Sequence, residues 1–196
     1  MNLRTVFTRL KIILSPYAGI IRFMAALLVT HFVWKYSIIG EEDANVLLLF
    51  NRVDISAPFL AASAHVATVV NGILHFFGNS VEMVGDYLLS FPNGNGIWIV
   101  WGCTGIKQAV ILTVILLASR GMWQRKIWFI PLGWVLCYGI NILRITLLTV
   151  SVENHVDKFP LLHGHLSKYL FYLIIFLFWL WWEEKIGRHK VSSTND

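Results

Sequence analysis

The sequence predicts an all-α polytopic membrane protein: about four transmembrane helices, one external or re-entrant helix and a small β-hairpin. Three observations predict it. Of the 196 residues, 57% are hydrophobic and only 14% charged, where a soluble domain carries roughly 25%. Several apolar runs approach the ~20 residues that a helix needs to cross the hydrocarbon core. Lysines and arginines gather in short clusters beside those runs, as they do on the cytoplasmic side of membrane proteins. The length fits a single integral membrane domain over residues 1–196. The net charge of +5 comes from those clusters, so membrane lipid is an expected partner and nucleic acid is not.

Residues 1–16 form a basic amphipathic segment. Arg4, Arg9 and Lys11 alternate with Leu3, Val6, Phe7, Leu10, Ile13 and Leu14 at helical spacing, which suits a helix lying on the membrane surface until Pro16 ends it. The first span covers 17–39. It is long and has no small-residue cleavage pattern before Lys35, so it is expected to stay rather than be removed as a signal peptide. Ile55–Phe77 is apolar but studded with Ser, Ala, His and Asn. Val81–Phe91 and Ile97–Trp101 flank Pro92-Asn-Gly-Asn-Gly96 and read as a hairpin outside the hydrocarbon. The remaining spans are 103–119, 127–150 (with Pro131 as a kink) and 161–182, followed by a cytoplasmic tail at 183–196.

The basic clusters set the topology. Arg4 to Arg22, then Arg120 to Lys126, then Lys185 to Lys190 should all face the cytoplasm. Four spans satisfy all three clusters, and Ile55–Phe77 then makes no net crossing. Trp98, Trp101, Trp123, Trp128 and the 179–182 tryptophans fall near span ends, as an aromatic belt should.

Within this frame, chemistry-bearing residues converge on the outer side. Cys103 sits between Gly102 and Gly105 at the start of an apolar helix, where free backbone N–H groups and the helix dipole favour a thiolate. Lys107 and Gln108 follow within a turn. Arg144 lies inside a span, where a guanidinium is expensive and therefore a functional candidate. Asn141, three residues earlier, shares its face and can orient it or a substrate carbonyl. His163 and His165 open the last span. Each residue also has an ordinary reading: a packed thiol, a snorkelling arginine, interfacial histidines, and an asparagine joining helices. Both cysteines are expected to be free thiols. His31, His65, His75, His155 and His189 show no ligand spacing, so no metal or cofactor is expected.

Together, Gly102-Cys-Thr-Gly-Ile106, Asn141-Ile-Leu-Arg144 and a histidine at the next helix start resemble the exosortase/archaeosortase family of membrane cysteine transpeptidases. The family's usual motifs are Ala-Cys-Ser-Gly and Asn-x-x-Arg; Gly102 and Thr104 depart from the first conservatively. The resemblance covers roughly residues 55–182. It implies catalytic Cys103, Arg144 and His165, with Asn141 and His163 toward substrate. It also implies substrates that are exported proteins ending in a recognition motif, a transmembrane helix and a basic tail. Cys103 would form an acyl-thioester and pass it to a surface acceptor, from an active site on the extracytoplasmic side of a bacterial inner (cytoplasmic) membrane. Two other readings compete. One is a non-enzymatic small transporter or assembly subunit that uses Arg144 and the outer histidines for binding. The other is a serine or metalloprotease, for which Gly-x-Ser-x-Gly and His-Glu-x-x-His are both missing.

Overall fold

A computed structural model describes residues 17–40, 46–154 and 167–187. Its helices are α1 (Ala18–Ser37), α2 (Ser56–Phe76), α3 (Ile106–Ala118), α4 (Trp123–Asn154) and α5 (Ser167–Trp181), the last running into a π-helical turn, Trp182–Gly187. The fold is all-α and polytopic, as the composition requires. The expected spans do not all have the expected lengths. Among the described residues, three helices are long and apolar enough to cross a membrane: Ala18–Ser37, Ser56–Phe76 and Trp123–Glu153. By this measure α2, expected to be external or re-entrant, is itself able to cross. At 13 residues, α3 spans only about 20 Å, less than the ~30 Å hydrocarbon core.

Packing nevertheless joins the four expected spans in one bundle. Phe23 and Ala26 of α1, Ile111 to Leu116 of α3, Phe129 and Cys137 of α4, and Phe171, Ile175 and Trp179 of α5 share a single buried cluster with Trp182. Consecutive members run in opposite directions. Lys126 Nζ reaches the Leu117 carbonyl at 2.8 Å, Trp134 Nε1 donates to Thr113 Oγ1 at 2.9 Å, and Asn141 meets Cys103. Phe129 stacks on Phe178 at 4.6 Å, and Phe23 touches Trp179 at 4.7 Å. The end shared by Phe23, Lys126 and Trp182 carries basic and acidic groups, with Arg22 Nη2 and Glu183 Oε1 at 3.4 Å. Trp179 and Trp182, expected in an interfacial belt, are buried there. Their ring N–H groups donate to Ser119 Oγ and the Arg120 carbonyl. Trp98, Trp123 and Trp128 are exposed.

With 32 residues, α4 is about 48 Å long and continues past Pro131 without interruption. Its second half carries a separate cluster: Ile142, Ile145 and Leu148 pack with Val66, Val70 and Leu74 of α2, with Leu89, Phe91, Ile97 and Ile99, and with Cys103. The sheet that supplies part of this cluster has three strands, β4 (Glu82–Val84), β5 (Leu88–Ser90) and β6 (Gly96–Trp98), paired antiparallel in sequence order. The hairpin read from sequence is its β5–β6 half. The Gly-Asn turn does more than reverse the chain. Asn93 and Asn95 side-chain amides donate to the Glu153 carbonyl at 2.7 and 3.0 Å, satisfying acceptors that the end of α4 leaves free.

A second small sheet was not legible in the sequence. Ile38–Ile39, Leu48–Leu49 and Val53–Asp54, strands β1 to β3, pair antiparallel, with Phe50 and Asn51 at positive φ in the β2–β3 turn. Asp54 then caps α2, accepting from the Ser56 N–H at 2.8 Å and from its hydroxyl. These bonds hold the Asp54 carboxyl below the usual carboxylate range.

The buried end of α3 gives a stability prediction. Lys126 is 4% exposed and donates to both the Leu117 and Ser119 carbonyls. Lys126→Met leaves these acceptors unpaired and should cost about 1–3 kcal/mol, read as lowered thermal stability in detergent. An equal or higher melting temperature would contradict this account of the helix end.

Candidate active site

The seam between the two clusters is where the chemistry-bearing residues meet. A 3-10 turn, Trp101–Cys103, leads into α3 through Gly105. The Cys103 N–H donates to the Val100 carbonyl at 2.8 Å. Thr104 Oγ1 donates to the Trp101 carbonyl at 2.8 Å. Gly105 takes φ +77°, and a Cβ there would lie 3.1 Å from both Cβ and Cγ of Asn141. Glycine is required twice over at this position, for its left-handed backbone and for the closeness of α4. The Gly-Cys-Thr-Gly pattern is therefore the recipe for a tight turn pressed against a neighbouring helix.

Asn141 is the neighbour that holds it. Its side chain is fully buried, and Nδ2 donates to the Cys103 carbonyl at 2.7 Å. Its amide N–H supports the cysteine turn, which needs a donor because a buried carbonyl without one is costly. One turn further along α4 lies Arg144, half-buried and near enough to Cys103 to feel a charge on its thiolate. Since α4 extends to Asn154 rather than ending at Val150, Arg144 lies roughly 15 Å from the helix end, deeper than the sequence implied. Six buried side-chain atoms lack a hydrogen-bond partner among the described residues. Three of them, Gln108 Oε1, Asn141 Oδ1 and Arg144 Nε, belong to the helices that meet at Cys103. Buried polar atoms are ordinarily paired.

Cys103 is 4% exposed and Cys137 1%, and both are free thiols. His163 and His165 lie outside the described residues, so their expected place beside Cys103 has no geometry here. Among the described residues, no group of His, Cys, Asp or Glu could hold a metal ion. Sequence reasoning passed over His65 and Tyr138, whose Nε2 and hydroxyl lie 3.0 Å apart on facing helices near the cysteine turn. The two are 73 positions apart in the chain, and neither belongs to a recognisable spacing.

A family model described as transmembrane exosortase matches residues 44–181, well over half of the chain and including both arms of the seam. The chain belongs to the transmembrane exosortase family. No curated protein and no solved structure matches it. The exosortase match starts after α1, yet α1 lends Phe23 and Ala26 to the bundle core, so the family region and the first helix form one packed unit. Membership makes this a multi-pass membrane protein of a family of membrane transpeptidases.

Two substitutions test the turn. Gly105→Ala forces a side chain into the left-handed region against Asn141 and should cost about 1–3 kcal/mol. Asn141→Leu strands the Cys103 carbonyl and should cost a similar ~1–3 kcal/mol. Thermal unfolding of the purified protein in detergent measures both; no change in either variant would refute the turn-and-clamp description.

Proposed function

We propose that this exosortase-family protein is a cysteine transpeptidase that cleaves the C-terminal sorting signals of exported proteins and transfers the released acyl group to a surface acceptor. The observation that carries the reading is Cys103 in a glycine-bounded turn, clamped by Asn141 with Arg144 one turn further along the same helix, in a chain that matches the transmembrane exosortase family.

The steps follow from the residues. The Cys103 thiolate attacks the scissile carbonyl carbon, and Arg144 stabilises the oxyanion that develops. The C–N bond breaks as the tail's amine takes a proton from His165, the proposed acid and base, with His163 the second candidate for this role or for holding substrate. The product on the enzyme is an acyl-thioester. An acceptor hydroxyl, amine or water then attacks that carbonyl, His165 removes its proton, and the Cys103 thiolate leaves. A guanidinium keeps its proton in proteins, so its part is charge stabilisation. No cofactor enters any step. The substrates proposed are exported proteins with a terminal motif, a transmembrane helix and a basic tail. The site is assigned to the outer side of a bacterial inner membrane because the basic clusters at 120–126 and 185–190 belong on the cytoplasmic side.

A tailed reporter protein expressed with this chain tests the proposal. Cys103→Ala should abolish tail removal. Arg144→Lys, which keeps charge but loses the guanidinium fork, should slow it about 10²–10³-fold. Normal processing by Cys103→Ala would end the enzymatic reading and favour a binding or transport role for Arg144.

A further inference from the structure

One turn along α4 from Asn141, on the side away from Arg144, lies a cavity of about 170 Å³. That is the scale of an engineered ~150 Å³ apolar cavity able to hold benzene. Its floor is buried and apolar: Val66 of α2, Ala109 of α3 and Cys137 of α4, closed by Thr104 and Gly105 of the cysteine turn. Its mouth is accessible, with His65 exposed and Trp134 and Tyr138 more than a third exposed. Because Thr104 and Gly105 directly follow Cys103, the cavity adjoins the nucleophile's turn.

The polarity of this mouth within apolar helices is its unusual feature. Tyr138 is the middle residue of the membrane-capable stretch Trp123–Glu153, and His65 lies one residue from the middle of Ser56–Phe76. The two side chains are joined at 3.0 Å and their rings are stacked. A polar pair exposed along two apolar, membrane-capable helices is expensive and by default marks a functional site. Neither side chain takes part in the acyl transfer described above.

Resting on the transpeptidase reading, we infer that this cavity is the subsite for the leaving side of the substrate. It takes one bulky apolar side chain from the first turn of the substrate's transmembrane segment, and His65 and Tyr138 serve that segment's backbone. Cleavage requires an extended chain at Cys103, so a substrate helix must unwind next to the scissile bond. Unwinding exposes N–H and C=O groups that hydrocarbon cannot satisfy. A hydroxyl and an imidazole one turn deeper than the nucleophile's support supply partners where those groups emerge. The cavity beside them buries the neighbouring side chain. A substrate segment that stays helical, or that carries glycine or alanine at that position, lacks one half of this interaction.

Ala62 lines the cavity from α2, so Ala62→Phe fills it without touching Cys103, Asn141 or Arg144. With full-length enzyme in bilayer nanodiscs and a reporter ending in an apolar helix and basic tail, Ala62→Phe should raise KM about 10-fold or more. Replacing the reporter's bulky leaving-side residue by alanine should restore the variant's relative efficiency. Alkylation of Cys103 by a small maleimide should stay at the wild-type rate. A photo-crosslinking benzophenone residue at position 138, in a Cys103→Ala background, should capture the leaving-side segment of the reporter. Equal KM for Ala62→Phe across reporters, or crosslinks to lipid alone, would overturn the subsite while leaving the transpeptidase intact. Failure of the wild-type enzyme to process any tailed reporter would instead remove the transpeptidase reading and this inference with it.

Discussion

The hydrogen bond from Asn141 Nδ2 to the Cys103 carbonyl, 2.7 Å long and fully enclosed, joins the two halves of the molecule. On one side lies the bundle of α1, α3, α5 and the first half of α4. On the other, α2 and the β4–β6 sheet pack on the second half of α4. A carbonyl at this seam cannot find water, so it needs a protein donor, and only a side chain small enough to sit against Gly105 can supply one. Glycine at 105, asparagine at 141 and the tight Trp101–Cys103 turn are consequences of that single contact. Arg144, one turn beyond, inherits its position beside the thiol from the same clamp.

The length of α4 turns this local contact into an architecture. A helix about 48 Å long exceeds what one four-helix cluster can cover, so a second cluster must sheathe the remainder. The Asn93 and Asn95 amides close its far end on the Glu153 carbonyl. At the near end of α3, Lys126 provides the corresponding service for Leu117 and Ser119. Both helix ends thus have their free carbonyls satisfied by side-chain donors. The site lies between these tied ends, where three unpaired buried polar atoms remain and chemistry has room to happen.

The Lys126 end of the bundle carries further contacts. Arg22 and Glu183 pair at 3.4 Å, while Trp179 and Trp182 turn inward to bond Ser119 Oγ and the Arg120 carbonyl. Sequence position suggested that these tryptophans mark an interface. Gly121 packs against the Trp182 ring, where an added Cβ would lie 2.8 Å away. A tryptophan near a span end is ambiguous in one dimension. Whether it faces lipid or core depends on what the next loop places against it.

Much was legible from the chain alone. Composition and apolar run length determined a helical membrane protein, because hydrocarbon admits few other backbones. The Gly-Cys-Thr-Gly turn, Asn141 and Arg144 were legible as a group because each is costly or unusual where it stands. The Gly-Asn turn announced β5 and β6. Other features depended on contacts between distant segments. The β1–β3 sheet has strands of two residues, too short for any periodicity to register. The bond from Asn141 to the Cys103 carbonyl, and the meeting of His65 with Tyr138 across 73 positions, were likewise decided by packing. Sequence sets which residues are too polar to leave unpaired in a membrane. Tertiary structure alone selects their partners, because pairing is a matter of distance in space and not along the chain.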